Sequence, residues 1–334
     1  STWSILTIFI LMEIYMRKIL LASTALIAVS GISAASAEIS LSGNSAFSYK
    51  AHSDNLSNGT GVNDTAFSSD SDLGLSYSST TDSGLSVSVS WDIDANDSTG
   101  SIGGDFGTIA WADAGDSDGA AAASDADPVE DGEYTGDTTI THNGAFGGDG
   151  GNISYTSPSF NGFEFTVGQG DAGLASAADE SSYSIGYSAS VNGADVSVGY
   201  AAASVASAYD NASSEKADYT SLNASVTVGD VTVDVASNKS KAVRGDDNAS
   251  AGGHDITGTR FGVSYALTDT IGLTAQSVSV DGTDIAADYK YDESSYGIEY
   301  NIASGVDLYG SFTDFSQSGT TGTNTSGTGT VIKL

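Results

Sequence analysis

Three histidines, His52, His142 and His254, are the only imidazoles in the sequence, and each falls in a polar stretch that reads as a loop. Acid–base or nucleophilic catalysis needs such a group beside a nucleophile and an orienting carboxylate. The three lie far apart, and no G-x-S-x-G elbow singles out one of the many serines. Carboxylates are what accumulate. Asp116, Asp118, Asp125, Asp127, Glu130, Asp131 and Glu133 fall within DSDGAAAASDADPVEDGE, with no Lys or Arg among them. DIDANDSTG (92–100) spaces Asp92, Asp94, Asn96 and Asp97 partly as a calcium loop does, without its Gly at position six or Glu at twelve. GAFGGDGGN (144–152) looks like a single turn of a calcium β-roll. The chemistry these residues offer is electrostatic attraction of cations, with weak Ca²⁺ binding at acidic loops as its strongest form. No other cofactor is implied, and the sequence reads as a non-enzyme.

Composition narrows the field further. Acids outnumber bases 43 to 10, for a net charge of −33. That balance argues against nucleic acid and anionic headgroups, both of which call for Lys and Arg. The absence of Cys excludes disulfides and thiolate metal sites. Apolar residues make up 39% of the chain, yet Leu and Ile are modest while Ser, Gly, Ala, Asp and Thr dominate. They are too small and too polar to fill a conventional core. From Met16, MRKILLASTALIAVSGISAASA sets Arg17 and Lys18 before an apolar run (19–29) and closes on Ala35-Ser36-Ala37. This is the pattern of a cleaved secretory signal. Residues 1–37 are therefore read as an upstream extension plus signal peptide, and 38–334 as the mature chain.

The elements that must position the acids show a period of two. In GLSVSVSW, Leu85, Val87, Val89 and Trp91 oppose Ser86, Ser88 and Ser90. SSYSIGYSASV repeats the pattern, which marks strands with one apolar and one polar face. The spacing predicts sixteen strands: 38–50, 66–79, 84–92, 98–103, 106–113, 151–157, 162–169, 181–191, 194–203, 217–228, 230–238, 256–267, 271–280, 294–302, 305–315 and 327–334. Short turns and long polar loops alternate between them. A length near ten residues and a strict short–long alternation predict an all-β, antiparallel transmembrane barrel.

Strand charges fall on the parity opposite the apolar residues. Glu164 opposes Phe163 and Phe165; Asp195 opposes Val196; Asp234 opposes Val233 and Val235. Arg260 opposes Phe261, Glu299 opposes Ile298 and Tyr300, Asp307 opposes Val306 and Leu308, and Lys333 opposes Ile332 and Leu334. A charge on the lipid face is expensive and one facing the lumen is not. These seven residues are therefore assigned to a water-filled lumen wall. Aromatic residues near strand ends (Tyr49, Tyr77, Trp91, Phe163, Tyr183, Tyr200, Tyr296 and Phe312) fit interfacial girdles.

GGDFGTIAWADAG (103–115), the long acidic segment after it and NISYTSPSFNGFEFTVG (152–168) resemble the general diffusion porins of alphaproteobacteria, the Rhodobacter type. In that family a Gly-Phe-Gly turn enters the fifth strand, and a Y-x-S-P-x-F-x-G turn joins the sixth and seventh. The resemblance implies that residues 114–150 form a long constriction loop folded into the lumen, and that the protein is a homotrimer. The chain departs from the family in ending on Leu334 rather than an aromatic residue. It also carries only eight bases after residue 37: Lys50, Lys216, Lys239, Lys241, Arg244, Arg260, Lys290 and Lys333.

These readings converge on a sixteen-stranded outer-membrane barrel, exported by its signal, surrounded by membrane lipid and lipopolysaccharide. It is expected to pass ions and small hydrophilic solutes passively, with a preference for cations set by its acidic loop and wall. Two alternatives are a Ca²⁺-binding, acidic all-β surface adhesin and a substrate-specific outer-membrane channel.

Overall fold

The computed structural model describes residues 36–56, 62–93, 97–112, 152–170, 180–205, 217–243, 254–283, 288–318 and 325–334. They form sixteen strands. The first four are β1 (Ser36–Leu56), β2 (Val62–Thr80), β3 (Ser86–Asp92) and β4 (Asp97–Gly104). Then come β5 (Gly107–Ala112), β6 (Asn152–Thr156), β7 (Phe163–Gly170) and β8 (Glu180–Val191). β9 (Ala194–Val205), β10 (Ala217–Val228), β11 (Val231–Val243) and β12 (His254–Thr268) follow. β13 (Ile271–Thr283), β14 (Asp288–Ala303), β15 (Val306–Ser318) and β16 (Thr325–Lys333) complete the wall. Every strand pairs antiparallel with its sequence neighbours, and β1 pairs with β16, so the sheet closes into a barrel. Phe47 and Leu334 exchange backbone hydrogen bonds of 2.8 and 2.9 Å at this seam. Closure removes the open edges that a sheet of this size would otherwise carry.

Short turns link β2 to β3, β4 to β5 and so on to β14–β15, all on one rim. Asn192-Gly193 between β8 and β9 has φ of 53° and 83°, the left-handed pair that a two-residue hairpin requires. The turn of SPSFNG is closed by reciprocal Phe160–Phe163 backbone hydrogen bonds of 2.8 and 2.9 Å. The intervening long connections belong to the opposite rim. They include the acidic segment 114–150, so Asp116, Asp118, Asp125, Asp127, Glu130, Asp131 and Glu133 lie outside the described residues, as do His142, Asp94 and Asn96.

The ladder register sorts side chains by face. Apolar residues share one parity from strand to strand, as in Val233↔Val263, Phe261↔Val235, Leu273↔Ile298 and Tyr296↔Phe312. That face is turned outward: Leu41 and Phe67 are each 69% exposed, and Phe261 is 51% exposed. For a soluble protein such a surface would be a large liability; for a barrel in lipid it is the solvent-matched face. The eight aromatic residues assigned to girdles all have this outward parity. Neighbouring rings touch, with centroids 4.7 Å apart for Phe163–Tyr187 and 6.2 Å for Tyr183–Tyr200.

Several expected loops are shorter than the alternation suggests. β1 and β2 run on through residues 51–56 and 62–65, β11 continues to Val243 and β14 begins at Asp288. His52 consequently lies in β1 and His254 opens β12, which corrects their placement in loops.

Candidate functional site

The inward parity is made mainly of Ser, Thr, Gly and Ala. Its hydroxyls find each other across adjacent strands. Ser40–Ser76 (2.6 Å), Ser88–Ser101 (2.8 Å), Thr156–Thr166 (2.9 Å), Ser197–Ser225 (2.8 Å) and Thr227–Thr232 (2.8 Å) are such pairs. Small side chains leave the barrel interior open, and paired hydroxyls keep it wettable without aiming a strong donor or acceptor at a solute.

Glu164, Asp195, Asp234, Arg260, Glu299, Asp307 and Lys333 all occupy this inward parity, but at two heights. Glu164 and Asp195 are second residues of their strands, next to the short turns. Glu299, Asp307 and Lys333 lie at the same rim, Glu299 and Lys333 both in register with Tyr309. Asn301 Nδ2 donates to Asp307 Oδ1 at 2.6 Å, and the Ser190 hydroxyl donates to Asp195. These five residues thus ring the short-turn mouth.

Arg260 stands near the middle of β12 and Asp234 is the fourth residue of β11, and the fold brings the two together. Arg260 Nη2 donates to Asp234 Oδ2 at 2.8 Å, with the two side chains 4% and 13% exposed. Gly262, the register partner of Asp234, makes the contact possible: a Cβ there would stand 2.4 Å from Asp234 Oδ1. Glycine is the residue that lets a carboxylate lie flat against the neighbouring strand.

Other charges on this wall escaped the sequence reading. Asp70, Asp72, Asp92 and Glu293 share the inward parity. Asp72 and Asp92 line a cavity of about 590 Å³ together with Ser42, Asn44, Ser90 and Thr99. Asp92 pairs in register with Asp97, so of the expected calcium loop only the hairpin legs are described. Glu293 is buried; the Tyr291 hydroxyl donates to Oε2 and Ser295 Oγ donates to Oε1 at 2.7 Å. Beside it, Val278, Val280, Tyr291 and Phe315 form an apolar cluster, also inward-facing and buried, on the long-loop half of β13–β15. The parity of Gly74 and Ser76 extends to Asp70 and Asp72, and that of Glu299 to Glu293, so the signal existed along the strands.

A closed barrel with an apolar exterior and a hydroxyl-lined interior defines a transmembrane channel rather than a soluble adhesin. The chain belongs to the Gram-negative porin family, whose sequence model matches residues 22–320. No curated protein sequence matches it significantly. Among solved structures it is similar to an anion-selective porin from Comamonas acidovorans, with 16% identity over 89% of this chain and 99% of that one and a TM-score of 0.54. A porin refined at 1.8 Å matches with 19% identity over 89% and 100% and a TM-score of 0.56. OmpT of Vibrio cholerae, in vitro folded and in its trimer form, matches with 16% identity over 88% and 100% and a TM-score of 0.51. At these identities the likeness is one of fold. The protein is an outer-membrane diffusion channel.

Proposed function

We propose that this channel passes ions and small hydrophilic solutes without turnover, and that it prefers cations. The observation that carries the reading is the lumen wall: mutually paired hydroxyls and glycines, dotted with carboxylates that outnumber Lys50, Arg260 and Lys333. Selectivity then follows from pore diameter and the charge of the narrowest section. Residues 114–150 are the proposed constriction, and their Ala-rich, acidic sequence suits a negative eyelet. Reversal potentials in a KCl gradient test this. Cation preference is expected, and neutralising Asp125, Asp127, Glu130 and Asp131 should lower it more than neutralising Glu164 and Asp195 at the mouth. Anion preference would overturn the proposal. A saturable block by one solute would favour the substrate-specific channel instead.

Three further parts of the reading belong here. The family type is the Rhodobacter one, supported by the DFG and YTSPSFNG turns standing at the entries to β5 and β7. A homotrimer is supported by the short, outwardly apolar wall that β3–β7 form among the described residues. Residues 16–37 act as a cleaved signal with Glu38 as the first mature residue, to be checked by N-terminal sequencing, and weak Ca²⁺ binding is confined to the acidic loops.

A further inference from the structure

Two of the short turns carry the dipeptide Asn-Gly: Asn161-Gly162 between β6 and β7, and Asn192-Gly193 between β8 and β9. Among the described residues, these two Asn are the positions where a residue other than glycine holds a positive φ, 51° at Asn161 and 53° at Asn192. The glycines follow at 84° and 83°. Asn is tolerated there because its short polar side chain fits the left-handed region, and the pair suits a two-residue hairpin. The same pair is chemically labile. The side-chain amide carbon of Asn lies close to the backbone nitrogen of the next residue, and glycine has no Cβ to shield that nitrogen.

The two turns share a backbone shape and differ in what surrounds it. Gly162 lies against β8: the Ser188 N–H donates to its carbonyl at 2.9 Å, and a Cβ on it would stand 2.3 Å from Ser188 O. The Phe163 ring beside it packs on Tyr187, with centroids 4.7 Å apart. Gly193 has open space instead. Nothing beyond its chain neighbours stands within 4 Å of where its Cβ would be, and Asn192 and Gly193 are both exposed. Among the described residues, no hydrogen bond ties either of them to a neighbouring strand, and the Val191↔Ala194 pair alone closes the tip. For Gly193 N to reach Asn192 Cγ, the peptide between them must rotate out of the hairpin geometry. The tip at 192–193 makes that excursion by giving up only its own turn, whereas 161–162 must also break the bond to Ser188.

We propose that Asn192 is a site of spontaneous deamidation on the short-turn rim, and that the clamp on Gly162 protects Asn161. The Gly193 nitrogen gives up its proton and attacks Asn192 Cγ. That C–N bond forms, the bond to Nδ2 breaks, and the amide nitrogen leaves as ammonia. The cyclic succinimide so formed takes up one water. Opening at one carbonyl gives aspartate and at the other isoaspartate, with no oxidant or enzyme involved. Either product sets a new carboxylate beside Asp195, which already accepts a hydrogen bond from Ser190, and so adds charge to the mouth ringed by Glu164, Glu299 and Asp307. The isoaspartyl form also routes the main chain through an extra methylene. A two-residue connection between Val191 and Ala194 cannot absorb that without loss of register. The reaction needs only the turn and water, so it holds whichever solutes the pore passes.

The test keeps the barrel folded in detergent micelles, in mildly alkaline buffer made with water enriched in heavy oxygen, beside a sample unfolded in urea. Peptide maps taken over the incubation quantify aspartate and isoaspartate at both positions. Each folded rate is divided by the rate of the same position in urea. So normalised, Asn192 should convert about fivefold faster than Asn161, the factor that one net hydrogen bond confers. Its products should carry the heavy oxygen, and the rate should rise with pH because the attacking nitrogen must first lose its proton. Asn192→Gln, whose longer side chain closes the ring poorly, should stay intact at that position while Asn161 keeps its own rate. Normalised rates that are equal, or faster at Asn161, overturn the proposal. So does an Asn192 that stays intact in the folded barrel over the time in which the urea sample converts.

Discussion

Among the described residues, the wall has a low side and a tall side. β3 to β7 contain 7, 8, 6, 5 and 8 residues, whereas β8 to β15 contain 12 to 16. A tilted strand needs about 9–11 residues to cross the hydrocarbon. The low side is as apolar outside as the tall side: Ile109, Ile153, Phe163 and Phe165 are all exposed on it. Its β3–β4 hairpin nevertheless closes at Asp92↔Asp97, the register level of Gly74 on β2. On the trimer proposed above, apolar character without height would suit a surface covered by protein, while the tall side has the dimensions of a surface covered by lipid. The lumen follows the same division. Hydroxyl pairs line both sides, whereas the Arg260–Asp234 ion pair, the Glu293 network and the buried apolar cluster all belong to the tall side.

The widest separation between the two sides should come from placing a charge on each exterior. Ile298→Lys on β14 should destabilise the barrel by about 2–4 kcal/mol, seen as a lower unfolding temperature of the heat-modifiable form. Ile109→Lys on β5 should leave that temperature nearly unchanged and instead dissociate the proposed trimer on semi-native gels. Equal loss of barrel stability from both would mean that lipid covers the low side too.

Next in size is the Arg260–Asp234 ion pair. Arg260→Gln strands a half-enclosed carboxylate and should lower stability by about 2 kcal/mol, less than the 3–5 typical of full burial. Gly262→Ala should shift stability in the same direction, because its Cβ meets Asp234. Urea unfolding in micelles reads both, and an unaltered Arg260→Gln midpoint would show that the pair contributes nothing. On the low side, Ser88→Ala removes a single hydroxyl partner and should cost no more than about 1 kcal/mol in the same assay. Asp292→Asn, which breaks the exposed pair with Lys290, should change stability by about 0.5 kcal/mol or less.

The strands and their facing were legible in the sequence because lipid enforces alternation wherever it touches the wall. Every one of the sixteen expected strands has its counterpart. The misjudged ends share a cause. In residues 51–56 and 62–65 both parities are largely polar, so the pattern fades although the backbone ladder continues, and in 288–293 the tyrosines take the parity opposite to Tyr296 and Ile298. Glu293 was missed for that reason, having been assigned to a loop, and His52 was misplaced likewise. The Arg260–Asp234 contact was out of reach because two residues on the same face reveal nothing of register, and register decides which of them meet. Position along the pore was equally hidden: Glu164 and Lys333 alternate as mid-wall residues do, yet stand at the mouth. The acidic segment could be located from the strands that flank it.

The seam between Phe47 and Leu334 has a consequence for how the molecule is made. The first strand to leave the ribosome is partnered by the last, so nothing in between can finish the ring. Until β16 arrives, β1 and β15 each present an unsatisfied edge and a greasy outer face to the aqueous compartment they cross. Contacts so distant in sequence make for slow maturation, in which a shielding chaperone matters more than intrinsic folding speed. A chain clipped before Thr325 would then yield not a narrower ring but an open, sticky sheet, a natural target for periplasmic proteolysis.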